Sequence, residues 1–183
     1  AGTEGFAGNV GVGVGVGTVD AVERPEVEIS RIGPASGSSV VLRTQGVDNI
    51  IRGIAVSKNG GSGTSVGLYF DPAASNALVE NCFIGFSASS FSDPGSSENR
   101  VFEGVWFNEN ENGVVRKNLI AFTNSFGVFV RNAANSLVEE NSVYHSGLTS
   151  PNTNPQESIR PFGPGPSVIR HNYLGETRWG AID

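Results

Sequence analysis

Asn135-Ser136-Leu137-Val138-Glu139-Glu140-Asn141-Ser142-Val143-Tyr144 decides how this chain folds, because its pattern recurs. From Leu137 it reads two apolar residues, a charged one, a variable one, Asn, and two more residues of which the second is apolar. Close copies are Val114-Val115-Arg116-Lys117-Asn118-Leu119-Ile120 and Val168-Ile169-Arg170-His171-Asn172-Tyr173-Leu174. In looser copies an apolar residue replaces the Asn: Ile50-Ile51-Arg52-Gly53-Ile54-Ala55-Val56, Leu78-Val79-Glu80-Asn81-Cys82-Phe83-Ile84 and Val101-Phe102-Glu103-Gly104-Val105-Trp106-Phe107.

The fifth position of the unit falls at residues 54, 82, 105, 118, 141 and 172. Steps of 23, 28 and 31 residues are those of a solenoid coil. The step of 13 from 105 to 118 is too short for a coil of three strands, so 114–120 is placed on a different side from 101–107. In this column Ile54, Cys82 and Val105 give way to Asn118, Asn141 and Asn172. Two roles are open for these Asn residues. In register they form a ladder, each amide bonding to the next. Alternatively they are left-handed turn residues, which Asn also favours.

Composition agrees with short strands and many turns. The 183 residues suffice for one domain with a core, and they include 25 Gly, 9 Pro and only 16% charged residues. A net charge of −6, a pI near 4.9 and no basic cluster larger than Arg116-Lys117 argue against nucleic acid as a partner. No apolar run approaches about 18 residues, so no membrane span is predicted. The single cysteine, Cys82, reads as a small buried hydrophobe. The chain has no Met and begins at Ala1, so translation is expected to start upstream. Removal of a signal peptide would produce this start and gives an extracellular or cell-surface location; initiator trimming or a cloned fragment would produce it equally.

Two segments interrupt the rhythm. Residues 1–24 form an arm in which Gly8 to Gly17 alternates strictly, putting Val10, Val12, Val14 and Val16 on one face of a strand and bare backbone on the other. Glycine loses much entropy on ordering, so such a strand is stable only when docked, either on its own domain or as an edge strand given to a neighbouring subunit. Residues 25–183 form the repeat domain, interrupted at 147–166 by a loop with five prolines, including Pro151, Pro155 and Pro161.

Asn112-Gly113-Val114-Val115, Phe126-Gly127-Val128-Phe129-Val130 with Asn135 to Asn141, and Val168-Ile169-Arg170-His171-Asn172 follow a loose Asn-Gly-aliphatic rhythm. In this the chain resembles the right-handed parallel β-helix repeat proteins of the pectate-lyase-like superfamily, over residues 25–183. The resemblance implies an all-β, single-domain, right-handed parallel β-helix of about six coils. Members include polysaccharide lyases and glycoside hydrolases, and also adhesins, phage fibres and structural domains. The chain is shorter than a usual family enzyme, and the Val/Gly arm stands where an amphipathic capping helix is usual.

Chemistry-bearing residues are sparse. A lyase of this class would need clustered carboxylates for Ca²⁺, but Asp20, Asp48, Asp71, Asp93 and Asp183 are scattered. A hydrolase would need two positioned carboxylates. Glu80, Glu103 and Glu139 share one repeat position with Arg52, Arg116 and Arg170, which reads as a mixed-charge ladder on the outer face. No catalytic residue, metal site or cofactor is assigned; Ca²⁺ belongs only to the lyase alternative. Trp106, Trp179, Tyr69 and Tyr144 are candidates to stack on sugar rings or in the core. Candidate glycan contacts are Arg131, Tyr144, His145, Arg160 and Arg178. The leading expectation is a secreted structural or adhesive β-helix whose partner is itself, joined through the N-terminal strand into an oligomer or filament. The alternative is a polysaccharide-active enzyme or a glycan-binding module.

Overall fold

The computed structural model describes residues 24–32, 39–61, 63–148, 156–177 and 180–182. The arm with Val10, Val12, Val14 and Val16 lies outside the described residues, as do Arg178, Trp179 and Asp183. The described chain is built of short strands. In order these are β1 (Val27–Ile32), β2 (Ser39–Thr44), β3 (Ile50–Arg52), β4 (Ile54–Asn59), β5 (Ser65–Phe70) and β6 (Leu78–Glu80). Next come β7 (Phe83–Ile84), β8 (Val105–Asn108), β9 (Val114–Arg116), β10 (Leu119–Ala121), β11 (Val128–Arg131) and β12 (Ser136–Glu139). The last are β13 (Ser142–Tyr144), β14 (Glu157–Phe162), β15 (Ser167–Arg170), β16 (Tyr173–Gly175) and β17 (Gly180–Ile182).

Every third strand falls in the same sheet. Sheet A runs β1-β4-β7-β10-β13-β16, sheet B β2-β5-β8-β11-β14-β17 and sheet C β3-β6-β9-β12-β15, with all pairings parallel. This is an all-β parallel β-helix. Strand alternation sends one set of side chains inward. Leu68, Val105, Val128 and Ile159 from sheet B meet Val79, Val115 and Val138 from sheet C and Val56, Ile84, Ile120 and Val143 from sheet A in one core. A second apolar cluster lies outside sheet A. There Phe83, Phe86, Phe122 and Tyr144 are covered, with Phe91 packed against them. Residues 85–100 thus form a flap pinned to sheet A by Phe86 and Phe91.

The αL backbone that each corner needs falls on the residue before the Asn column: Gly53, Asn81, Lys117, Glu140 and His171 have φ between 53° and 65°. Two expectations need correction. Val105 does not belong to the column of Ile54, Cys82 and the three Asn residues; it pairs with Leu68 and Val128 in sheet B. The proline loop is also shorter than 147–166, because residues 157–162 are strand β14. Proline rarely enters a central strand, since it cannot donate to the ladder. Pro161 is tolerated because β17 pairs only with Glu157 and Ile159, leaving Pro161 partnered on one side by Val130.

Candidate functional site

Polar groups at the C-to-A corner are arranged for cohesion. Asn118 Nδ2 donates to Asn141 Oδ1, and Asn141 Nδ2 to Asn172 Oδ1, each at 2.9 Å. Each Oδ1 also accepts the backbone N–H of the coil before it: Cys82 to Asn118, Asn118 to Asn141 and Asn141 to Asn172. The three residues therefore make a ladder, and the strained turn geometry is carried by their predecessors. A second ladder was not anticipated. Asn76, Asn112 and Asn135 donate in turn to Asp48, Asn76 and Asn112 at the exposed B-to-C corner. Its sequence signal is an Asn or Asp two residues before the first aliphatic residue of the unit, at Ile50, Leu78, Val114 and Leu137.

The outer face of sheet C carries the charge ladder. Glu80 lies between Arg52 and Arg116, with Arg116 Nε 2.8 Å from Oε2, and Glu139 pairs with Arg170 at 2.8 Å. Burial alone would raise the Glu80 pKa, but Arg116 and Arg52 hold it below the usual carboxylate range. Glu103 is absent from this ladder, because it precedes β8 in sheet B.

The outer face of sheet B is different. With Leu42, Leu68, Val105, Val128 and Ile159 turned inward, the next residues, Arg43, Tyr69, Trp106, Phe129 and Arg160, fall in register on the outside. Neighbouring rings meet at 5.3 Å (Tyr69 and Trp106) and 5.4 Å (Trp106 and Phe129). Arg43 caps one end over Tyr69 at 5.5 Å. Arg160 lies over Phe126 at 5.3 Å and Phe162 at 5.6 Å at the other. The row beside this stripe is polar. Asn108 Nδ2 donates to the Tyr69 hydroxyl at 3.0 Å, and Arg131 Nη1 donates to Asn108 Oδ1 at 3.3 Å. Asp71 accepts from Gln45 and Arg43, each at 2.9 Å; these bonds, the Gln45 one first, hold its pKa down against the effect of burial.

Glu103 and Glu157 each stand two residues ahead of an inward residue of the same register, Val105 and Ile159. Glu103 is 7% exposed and Glu157 2%. Burial pushes the Glu103 carboxyl up to about 8, so it is largely neutral at pH 7. Glu157 instead accepts from Arg160 at 3.4 Å. A glycosidase pair must be open to substrate on both carboxyls; these two are closed over. The chemistry this face presents is ring stacking and hydrogen bonding.

The candidate glycan contacts divide. Arg131 and Arg160 come together on sheet B beside Tyr69 and Trp106. Tyr144 is only 1% exposed and lies within the cluster outside sheet A, 5.2 Å from the ring of Tyr173, so its ring is withdrawn from the surface. His145 stacks on Phe122 at 5.0 Å, with Nδ1 3.3 Å from Glu176. Among the described residues no three His, Cys, Asp or Glu side chains gather as a metal site. Asp71, Glu80 and Asp93 are each paired with arginines.

No family model and no curated protein matches the chain. Among solved structures it is similar to the full-length tailspike protein 2 of Escherichia coli O157:H7 bacteriophage CAB120, with a TM-score of 0.53 and 16% identity. The similarity covers 81% of this chain and 18% of the tailspike chain. At that identity the likeness is one of fold, and it places the chain among proteins that carry a parallel β-helix.

Proposed function

We propose that this chain is an adhesive β-helix module that binds an extended, acidic polysaccharide along the outer face of sheet B. The observation that carries this reading is the in-register stripe of Tyr69, Trp106 and Phe129, flanked by Arg43, Arg131 and Arg160. Aromatic faces stack on the apolar faces of sugar rings, and guanidinium groups match carboxylates. Five coils at about 4.8 Å spacing give the stripe roughly 19 Å from Arg43 to Arg160, enough for a run of sugar units. Arg43 and Arg160 are paired with Asp71 and Glu157, while Arg131 has no carboxylate partner among the described residues and is the cation most open to a glycan carboxylate.

An extracellular or cell-surface location fits this use, and so does membership of the pectate-lyase-like superfamily, which the Asn-centred repeats support. Self-association through Val10, Val12, Val14 and Val16 belongs to the same reading. Val27, Ile32 and Ile50 in the first coil are 57%, 80% and 64% exposed, an apolar rim that a docked strand would cover. The test is a panel of acidic and neutral polysaccharides, with and without Ca²⁺, assayed for binding and for released sugar ends. Binding to acidic members without cleavage is expected. Cleavage would favour the enzyme alternative, and absence of binding would reject the proposal.

A further inference from the structure

A second site lies on a different face and does not depend on the sheet B reading. The outer surface of β1 and β4 forms the floor of a half-open cavity of about 260 Å³, and the flap of residues 85–100 forms its wall. The flap is fastened at both ends. Glu28 of β1 accepts from Ser87 Oγ at 2.9 Å and Ala88 N at 3.1 Å, while Asn99 Oδ1 accepts from Gly60 N at 2.9 Å. The cavity is thus built into the folded chain, as binding sites generally are. Its lining is mainly hydroxyls and amides; among the described residues it holds Lys58 as its one cation and no aromatic ring.

Lys58 is the unusual member. The residue is 4% exposed, yet its ammonium donates to a single protein acceptor, Gly63 O at 3.1 Å, and has no ion pair among the described residues. Glu28, which also lines the cavity, accepts from Ser57, Ser87 and Ala88 and makes no ion pair with Lys58. An ammonium has three donors, and leaving such a group buried with one acceptor and no directly paired carboxylate is costly. Burial first, and the Arg31 guanidinium second, lower the Lys58 pKa, while Glu98 acts the other way. An anion seated beside Nζ would reverse that penalty.

We infer that this cavity binds the carboxylate of an acidic monosaccharide, with Lys58 taking the carboxylate and the serine and asparagine side chains taking the sugar hydroxyls. The volume suits about one ring, at the small end of ligand sites. The polar lining on all sides suits a ligand with hydroxyls all round, not a flat apolar one.

The test is an NMR titration of the full chain with D-glucuronate, methyl glucuronide as a stand-in for a chain end, and D-glucose as the neutral control. Glucuronate is expected to shift the amides of Gly60, Gly63 and Ala88 and to saturate at about millimolar concentration. Methyl glucuronide binding alongside supports a chain terminus as the ligand; glucuronate alone supports the free acid. Lys58→Met should weaken binding at least about tenfold, the effect of losing one charge-assisted contact. Because Lys58→Met alters a buried site, Ser92→Trp at the exposed rim serves as a second variant, expected to block binding with an unchanged melting temperature. Equal response to glucose, wild-type binding by both variants, or no saturation by about 50 mM glucuronate overturns the inference.

Discussion

Glu103 shows how one residue can be misplaced by its own sequence. Val101-Phe102-Glu103-Gly104-Val105 copies the spacing of the sheet C unit, which would put Glu103 in the charge ladder with Glu80 and Glu139. It stands instead just ahead of β8 in sheet B, buried and with no arginine partner among the described residues. Its folded pKa, about 8, lies above the ordinary 4.5. Between these values the folded state holds a proton that the unfolded state has lost, so stability falls as pH rises through that window. Glu103→Gln removes the titration. The variant should melt several degrees above the wild type at pH 8.5 and within about a degree of it at pH 4.5, a difference of a few kcal/mol at most. Thermal denaturation at the two pH values checks this; equal shifts at both would contradict the burial account.

At the scale of elements, sheets A and C could be read from the repeat, because Asn and charged residues mark their strands at fixed offsets. Sheet B was harder to see. Its strands follow a second rhythm, Gly67-Leu68-Tyr69-Phe70, Gly104-Val105-Trp106-Phe107 and Gly127-Val128-Phe129-Val130. The glycines lead because there is no room for more: a Cβ on Gly67 would lie 2.6 Å from Gly104 O, and one on Gly127 2.7 Å from Ser158 O. Aligning these three segments would have placed Val105 correctly and found the stripe with Phe129. The prolines hid β14, since strand propensity argues against them. The Asn ladder was one of two readings left open by the sequence, because hydrogen bonding between coils is not local information. Asn141→Ala strips acceptors from the side chain and backbone amides of Asn118 and leaves Val115 O and Asn172 Oδ1 short of a donor. About 3 kcal/mol of stability should be lost in denaturant unfolding. Asn172→Ala, at the half-buried end of the ladder, should lose clearly less. Equal losses would mean that the ladder does not act as a buried network.

At the scale of the whole molecule, the coil is a scaffold that sets residues 4.8 Å apart, roughly, along three faces. One face is a salt-bridged surface, one is covered by a flap, and one presents rings and guanidinium groups. Val27, Ile32 and Ile50 leave an apolar surface on the first coil, where the segment carrying Val10, Val12, Val14 and Val16 is proposed to dock. Chains lacking residues 1–24 should therefore remain folded by circular dichroism but lose the oligomers or filaments that electron microscopy would show for the full chain. If the shortened chain assembles equally well, the arm is not the joining element. On the proposed binding face, Trp106 is the centre of the stripe, between Tyr69 and Phe129. Affinity electrophoresis through gels containing the acidic polysaccharide bound by the wild type tests that role most directly. Trp106→Ala should lose retardation, with affinity down about tenfold or more, and Trp106→Phe should keep most of it. A Trp106→Ala chain retarded as strongly as the wild type would contradict the assignment of sheet B as the glycan-binding face.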